Sequence, residues 1–393
     1  MSQVLTKQPI AELDALRGVA IFLVFSGHLF PFFLTAMVPA PNSPLSWFII
    51  LAPAGFTGVT LFFVLSAFLL SQPLINGYCS GTQVDLMNFV RRRVLRIIPL
   101  FWTTVVVVGI ILGEYWKAFQ ALIFLPDSGT GLLPYGAVWW SLQVEVQFYI
   151  LLIFSAWLMR YSLGRKILLI ALMSYGIAYT AFCLGFLTPH HLGLNTFVSV
   201  AAFLHTVLQR GPVFILGIFA AWLFLTKSSL LQAVFNNERI GGFFGYDLLL
   251  LLMIGLLSLL LNFIVQEGIF PSELKWPAWH IAEGILWALI MFIILYSPLR
   301  LKKLIVNRPM IFLGKVSYSF YLMHFPLIYF LVSWLQSSYP EILKTSHWNA
   351  TSIAVCLGIF LLCVAVSSVT YQCIERPFLQ RKRNLKTYAV TTI

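Results

Sequence analysis

Arg17 and His28 stand eleven residues apart in an otherwise apolar stretch that begins Leu13-Asp14-Ala15-Leu16-Arg17-Gly18. Eleven residues make about three helical turns, roughly 16 Å of rise, so both side chains leave the helix on one face. A neutral imidazole there is a proton acceptor or nucleophile near neutral pH. A guanidinium is a permanent cation suited to phosphate or carboxylate. Each also has a plainer reading: Arg17 as a snorkelling rim arginine, His28 as a histidine hydrogen-bonded to a neighbouring helix. For Arg17 alone the plain reading wins; for the aligned pair a function is the stronger one.

Three further stretches carry polar groups into apolar surroundings, where each costs several kcal/mol unless it faces protein or water. In Arg91-Arg92-Arg93-Val94-Leu95-Arg96, Arg93 and Arg96 are helical neighbours. Their guanidinium groups suit the phosphates of an anionic cytosolic donor, although a stop-transfer charge cluster explains them as well. In Trp139-Trp140-Ser141-Leu142-Gln143-Val144-Glu145, Ser141 and Glu145 lie one turn apart. A carboxylate in that place needs a base to orient, a cation, or a substrate hydroxyl; a structural interhelical bond is an equal alternative. In Leu313 to Pro326, Ser317, Tyr321 and His324 follow the i, i+4, i+7 rhythm of one face. Packing is the stronger reading for Ser317 and Tyr321, and His324 stays open. Asp14, Tyr321, His324 and Arg210 complete the candidates for a substrate path. His190, His191 and His347 fall in outer loops as solvated residues, and His205, Arg210 and His280 fall near the outer interface.

The elements that must hold these groups are membrane spans. Hydrophobic residues make up 60% of the 393-residue chain and charged residues 10%, against about 25% charged in soluble domains. Apolar windows near 18–38, 47–70, 97–113, 139–159, 167–187, 211–225, 246–263, 278–296, 311–335 and 350–371 predict ten helices. Two shorter apolar pieces, 117–125 and 197–209, read as re-entrant or interfacial. With the N-terminus inside, only Lys117, Arg210, Lys275 and Lys344 of the 25 basic residues fall outside. A miscount of one span would reverse every later loop and destroy that asymmetry. The expected fold is therefore an all-α polytopic membrane bundle of about ten transmembrane helices with both termini cytoplasmic.

The net charge of +12 falls in clusters between apolar runs, which speaks for orientation and against nucleic acid. Five cysteines without metal-ligand spacing read as small buried hydrophobes, and no metal site is expected. No cleavable signal precedes the first span, which reads as a signal anchor. Residues 1–378 are expected to form one membrane-embedded unit, with 379–393 a short basic cytoplasmic tail.

Taken in order, these stretches resemble the acyltransferase-3 family of bacterial integral membrane acyltransferases. The resemblance rests on Leu13 to Gly18 with Arg17 and His28, and on Phe62-Phe63-Val64-Leu65-Ser66. It continues with Arg93, Arg96 and Pro99, then Trp140-Ser141-Leu142 with Glu145 and Phe148-Tyr149. Gly314 with Ser317-Tyr318-Ser319 and His324, and finally Glu375-Arg376-Pro377-Phe378, complete it. No single motif is decisive; the ordered set covers residues 13 to about 378.

The resemblance implies transfer of an acyl group, commonly acetyl, from cytosolic acyl-CoA to a hydroxyl of a glycan or glycolipid acceptor. The acceptor would be a surface polysaccharide or a lipopolysaccharide sugar, and in some relatives a macrolide or lipid. It places His28 at the catalytic centre, with Arg17, Arg93 and Arg96 on the donor side; beside it, the placement of Glu145 and Ser141 makes them further catalytic candidates. No bound cofactor is implied; acetyl-CoA is a substrate, and the location is a bacterial cytoplasmic (inner) membrane. Two departures matter. Thr60 stands where relatives often carry Asp, which makes Glu145 the natural candidate to orient the base, and Ala67 stands where they carry Gly. The C-terminal extracytoplasmic domain of some relatives is not expected here.

His28 then acts either as general base or as acyl carrier, with Ser141 a weaker carrier. The rival from another class is a proton-coupled secondary transporter with His28, Glu145 and His324 as relay. Paired, broken repeats, which would favour a transporter, are not visible in the sequence.

Overall fold

The computed structural model describes residues 10–33, 51, 54–125, 132, 135–188, 191, 193–194, 203–237, 245–268, 272, 274–340 and 350–384. The predicted span ends at 34–38 and 47–50, the segment 197–202, His190, His347, Lys344 and the tail from 385 lie outside them.

Among the described residues, ten helices are long and apolar enough to cross a membrane. They are α1 (Ala11–Phe33), α2 (Thr57–Cys79), α3 (Leu86–Leu112), α5 (Trp140–Leu158), α6 (Ser162–Cys183), α7 (Val207–Thr226), α9 (Gly245–Glu267), α10 (Trp279–Tyr296), α11 (Arg308–Ser338) and α12 (Ala350–Thr370). Between them stand three short helices: α4 (Tyr115–Leu122), α8 (Ser228–Phe235) and a single turn, Lys302–Ile305, between α10 and α11. A π-helical turn, Tyr371–Glu375, leads from α12 into α13 (Arg376–Asn384). The described structure is a polytopic helical bundle, as the apolar windows predict.

Several boundaries differ from the windows, and some of them move a polar group. Helix α3 starts three turns earlier than 97, because Asp85 caps it by accepting the Asn88 amide at 2.9 Å. The arginine run is therefore inside the helix, which ends at Gly113 with φ 70°. Helix α2 begins at Thr57 and continues through Pro73 to a polar C-terminal end. Thr60 thereby shifts from mid-span to the first turn. Residues 207–209, expected in an interfacial piece, open α7, whereas Tyr115–Leu122 is a separate short helix as expected.

Packing fixes which loops share a side. Lys302 pairs with Glu12 at 2.8 Å, and Arg160 donates to the Val84 carbonyl at 2.8 Å. At the other end Tyr179 donates to Pro277 at 3.1 Å and Tyr175 to Leu208 at 2.7 Å. Alternate connections thus meet one another, as ten successive crossings require.

The bundle is centred on α1, which lies along α11 and against α2, while α2 lies along α7. The α1–α11 approach requires glycine. A Cβ at Gly314 would stand 1.7 Å from the Asp14 carbonyl oxygen, and one at Gly18 2.1 Å from that of Met310. Small residues permitting backbone contact are the usual device where lipid removes the hydrophobic drive between helices. The cysteines depart from expectation: all five are free, but only Cys363 is buried, while Cys79 and Cys373 are exposed. Apolar spans facing lipid need not hide a small hydrophobe.

Candidate active site

Helices α1, α2, α3, α5 and α11 enclose a cavity of about 770 Å³, counting the space at its mouth. Arg17, Arg93 and Arg96 line it together with a single carboxylate, Glu145. The early start of α3 is what carries Arg93 and Arg96 into the bundle. Arg93 lies over the Phe89 ring at 5.6 Å, and its Nε is buried without a hydrogen-bond partner among the described residues. Arg17 is held by Asp14 at 2.9 Å, three residues back on the same helix. The lining therefore carries more positive than negative charge and leaves a buried donor unmet.

Glu145 is fixed from two sides. Ser66 donates to its Oε1 at 2.5 Å, and the Tyr149 hydroxyl donates to the same oxygen. Ser141 and Tyr321, whose hydroxyl oxygens are 2.6 Å apart, also line the cavity. Tyr321 also reaches the Val138 carbonyl, which can only accept, so Ser141 donates to Tyr321. Tyr318, also on the lining, is tied to the Ile97 carbonyl at 2.6 Å.

His28 does not line this cavity. It meets His324 instead, one turn beyond Tyr321 on α11, with the ring centroids 5.2 Å apart. His28 is partly exposed and His324 fully buried. His28 Nδ1 lies 2.8 Å from the Val24 carbonyl and 3.3 Å from His324 Nε2. His324 Nδ1 lies 2.8 Å from the Tyr321 carbonyl and 3.1 Å from that of Phe320. Carbonyl oxygens accept only, so both Nδ1 atoms carry the proton of the neutral rings. His28 Nε2 is then left with its lone pair, as a base requires.

A second polar cluster lies between α2, α7 and α10. Thr60 donates to Glu283 Oε2 at 2.8 Å, and His280 Nδ1 is 3.6 Å from the same oxygen. Arg210 contacts His280 and lies over Trp140 at 5.5 Å; Trp140 in turn stacks on His205 at 4.3 Å. Glu283, His280 and Arg210 are all buried.

The structure thus brings Arg17, Arg93, Arg96, Glu145, Ser141 and Tyr321 together at one cavity and sets His28 with His324 beside it. Asp14 acts on Arg17 rather than on the cavity. Arg210 belongs to the second cluster, buried in the first turn of α7. The expectation that Glu145 orients His28 is not met: Glu145 holds Ser66 and Tyr149, and His28 is held by Val24 and His324. His191 is exposed, as expected. Ser66, Tyr149 and Tyr318 were visible only within motifs, because a hydroxyl in an apolar helix is a weak signal. Glu283 was overlooked, although a lone carboxylate in the span Trp279–Tyr296 is the same signal that drew notice to Glu145.

Comparison with known proteins bears on what this arrangement serves. O-acetyltransferase OatA of Staphylococcus aureus is 24% identical over 96% of this chain and 58% of its own length. Peptidoglycan O-acetyltransferase OatA of Listeria monocytogenes is 27% identical over 42% of this chain and 28% of its own. Putative peptidoglycan O-acetyltransferase YrhL of Bacillus subtilis is 28% identical over 36% of this chain and 23% of its own. The chain spans less than two thirds of the length of these relatives. No solved structure matches. Residues 10–371 match the acyltransferase domain of the acyltransferase-3 family, and the chain belongs to that family.

Proposed function

We propose that the chain is a membrane O-acyltransferase that moves an acyl group, acetyl in this reading, from cytosolic acyl-CoA to a hydroxyl of a cell-surface glycan. The observation that carries the proposal is the convergence of Arg17, Arg93 and Arg96 on one cavity that Tyr321 also lines, one turn from His324 and its partner His28.

The phosphates of CoA are anions that guanidinium groups bind with charge-assisted hydrogen bonds. The arginine-rich segments fall on the side where the basic loops place the cytoplasm. The pantetheine arm would run past Glu145 and Ser66 toward Ser141 and Tyr321. With acceptor and donor on opposite faces, a base between them resolves the geometry. His28 Nε2 removes the acceptor proton as the oxygen attacks the thioester carbonyl, and the CoA thiolate leaves toward the arginines. Positioned acid–base catalysis contributes about 10²–10⁴-fold. The relatives' names favour peptidoglycan as the acceptor, ahead of a lipopolysaccharide sugar, in a bacterial cytoplasmic membrane.

The test is purified protein in proteoliposomes given acetyl-labelled CoA on the arginine side and glycan fragments on the other. Label in the glycan is expected, and His28→Ala should abolish it while the protein stays inserted. Proton-coupled solute flux with no labelled glycan would replace this reading with a transporter.

A further inference from the structure

The hydrogen-bond directions around His28 and His324 admit one arrangement of protons. His28 Nδ1 carries its proton because it faces the Val24 carbonyl at 2.8 Å, and the same proton points toward His324 Nε2 at 3.3 Å. Two N–H groups cannot face each other favourably, so His324 Nε2 holds a lone pair. Its own proton sits on Nδ1, between the carbonyls of Phe320 and Tyr321. Among the described residues no carboxylate is hydrogen-bonded to either ring. The rings packed around the pair are Phe320, Phe325 and Tyr321, and the Tyr321 hydroxyl is committed to Val138 and Ser141.

We propose that His324 is a positioning residue that also takes the proton passing through His28, an inference that rests on the acyl-transfer reading above. When the acceptor oxygen bonds to the thioester carbonyl carbon, its proton moves to His28 Nε2. The proton on His28 Nδ1 moves to His324 Nε2 in the same event. His28 is then neutral in its other tautomer, and the positive charge rests on His324 between two carbonyl dipoles. As the carbon–sulfur bond breaks, His324 returns a proton to His28 Nδ1 and His28 Nε2–H protonates the CoA thiolate. Products are the O-ester and CoA thiol, with both rings restored. The two carbonyl oxygens aimed at the Nδ1 proton offset part of the cost of placing a transient charge on this buried ring.

The experiment compares His324→Phe and His324→Gln in the proteoliposome assay, with ring-¹⁵N spectra of the wild type. Phenylalanine keeps the buried volume; glutamine can accept the His28 bond but cannot take its proton. Both variants should lose about 100-fold in kcat, the lower end of acid–base contributions, with KM for acetyl-CoA unchanged. Wild-type kcat in either variant overturns the proposal, since shape or orientation alone would then suffice. In the spectra, bare Nε2 atoms on both rings are expected, and a protonated His324 Nε2 overturns the arrangement. Should the wild type transfer no acyl group, the proposed function is lost, while the spectra still decide the pairing.

Discussion

Two carboxylates held by hydroxyl groups of the same helix behave differently. On α2, Thr60 donates to Glu283 and, six residues or about 9 Å further along, Ser66 donates to Glu145. Glu283 is wholly buried, in a chain that runs through His280 to Arg210. Glu145 instead opens on a cavity where three guanidinium groups face it. Ionisable groups within a membrane must be partnered, and the two regions meet that demand in different ways. In the Thr60 cluster cation and carboxylate are both in reach of one imidazole, and Glu283 Oε1 has no hydrogen-bond partner among the described residues. The cavity leaves positive charge in excess and space beside it, which suits an anionic ligand. Buried charge alone therefore does not mark a site; charge left uncompensated around open volume does.

That contrast can be broken experimentally. The largest effect is expected from Glu283→Ala, which removes the carboxylate from a buried chain and should cost about 3–5 kcal/mol. A fall in thermal stability in detergent is expected, with the transfer rate per folded molecule retained. Loss of transfer at unchanged stability would make the Thr60 cluster a second functional site. Arg93→Ala should do the reverse. Losing charge-assisted bonds worth about 1.5–3 kcal/mol raises KM for acetyl-CoA about 10- to 100-fold, with the melting temperature unmoved. An unchanged KM would reduce the arginine run to a topology signal.

Gly314→Ala tests the α1–α11 contact beside the cavity. Its new Cβ meets the Asp14 carbonyl, so overpacking of about 1–3 kcal/mol should push α1 outward and, through Arg17, weaken donor binding as well. Tyr318→Phe is the smallest. It removes one hydrogen bond to Ile97, about 0.5–1.5 kcal/mol, and should shift the melting temperature slightly while sparing KM.

Much of the bundle was legible before the fold was known. Apolar windows of sufficient length name the ten spans, because a membrane helix must satisfy its backbone internally and clothe it in apolar side chains. The ends were less legible: the cap at Asp85 and the polar C-terminal end of α2 follow local hydrogen bonding, which a hydropathy window averages away. For the site, helical spacing correctly joined Arg93 to Arg96. It also suggested that Arg17 and His28 serve one space, whereas the cavity takes Arg17 and leaves His28 to His324.

The amino-acid sequence by itself determined the number of spans, their alternation, the side on which basic loops collect, and the residues too polar to be idle. These depend on composition and on neighbours within one helix. The tertiary structure alone decided the partners: Glu145 with Ser66, Thr60 with Glu283, and His28 with His324. Such pairs join residues from 79 to 296 positions apart, and their choice rests on how helices rotate and approach, as at Gly18 and Gly314. Periodicity within one helix carries no record of that rotation, so the helper of His28 became visible only when α1 and α11 were packed together.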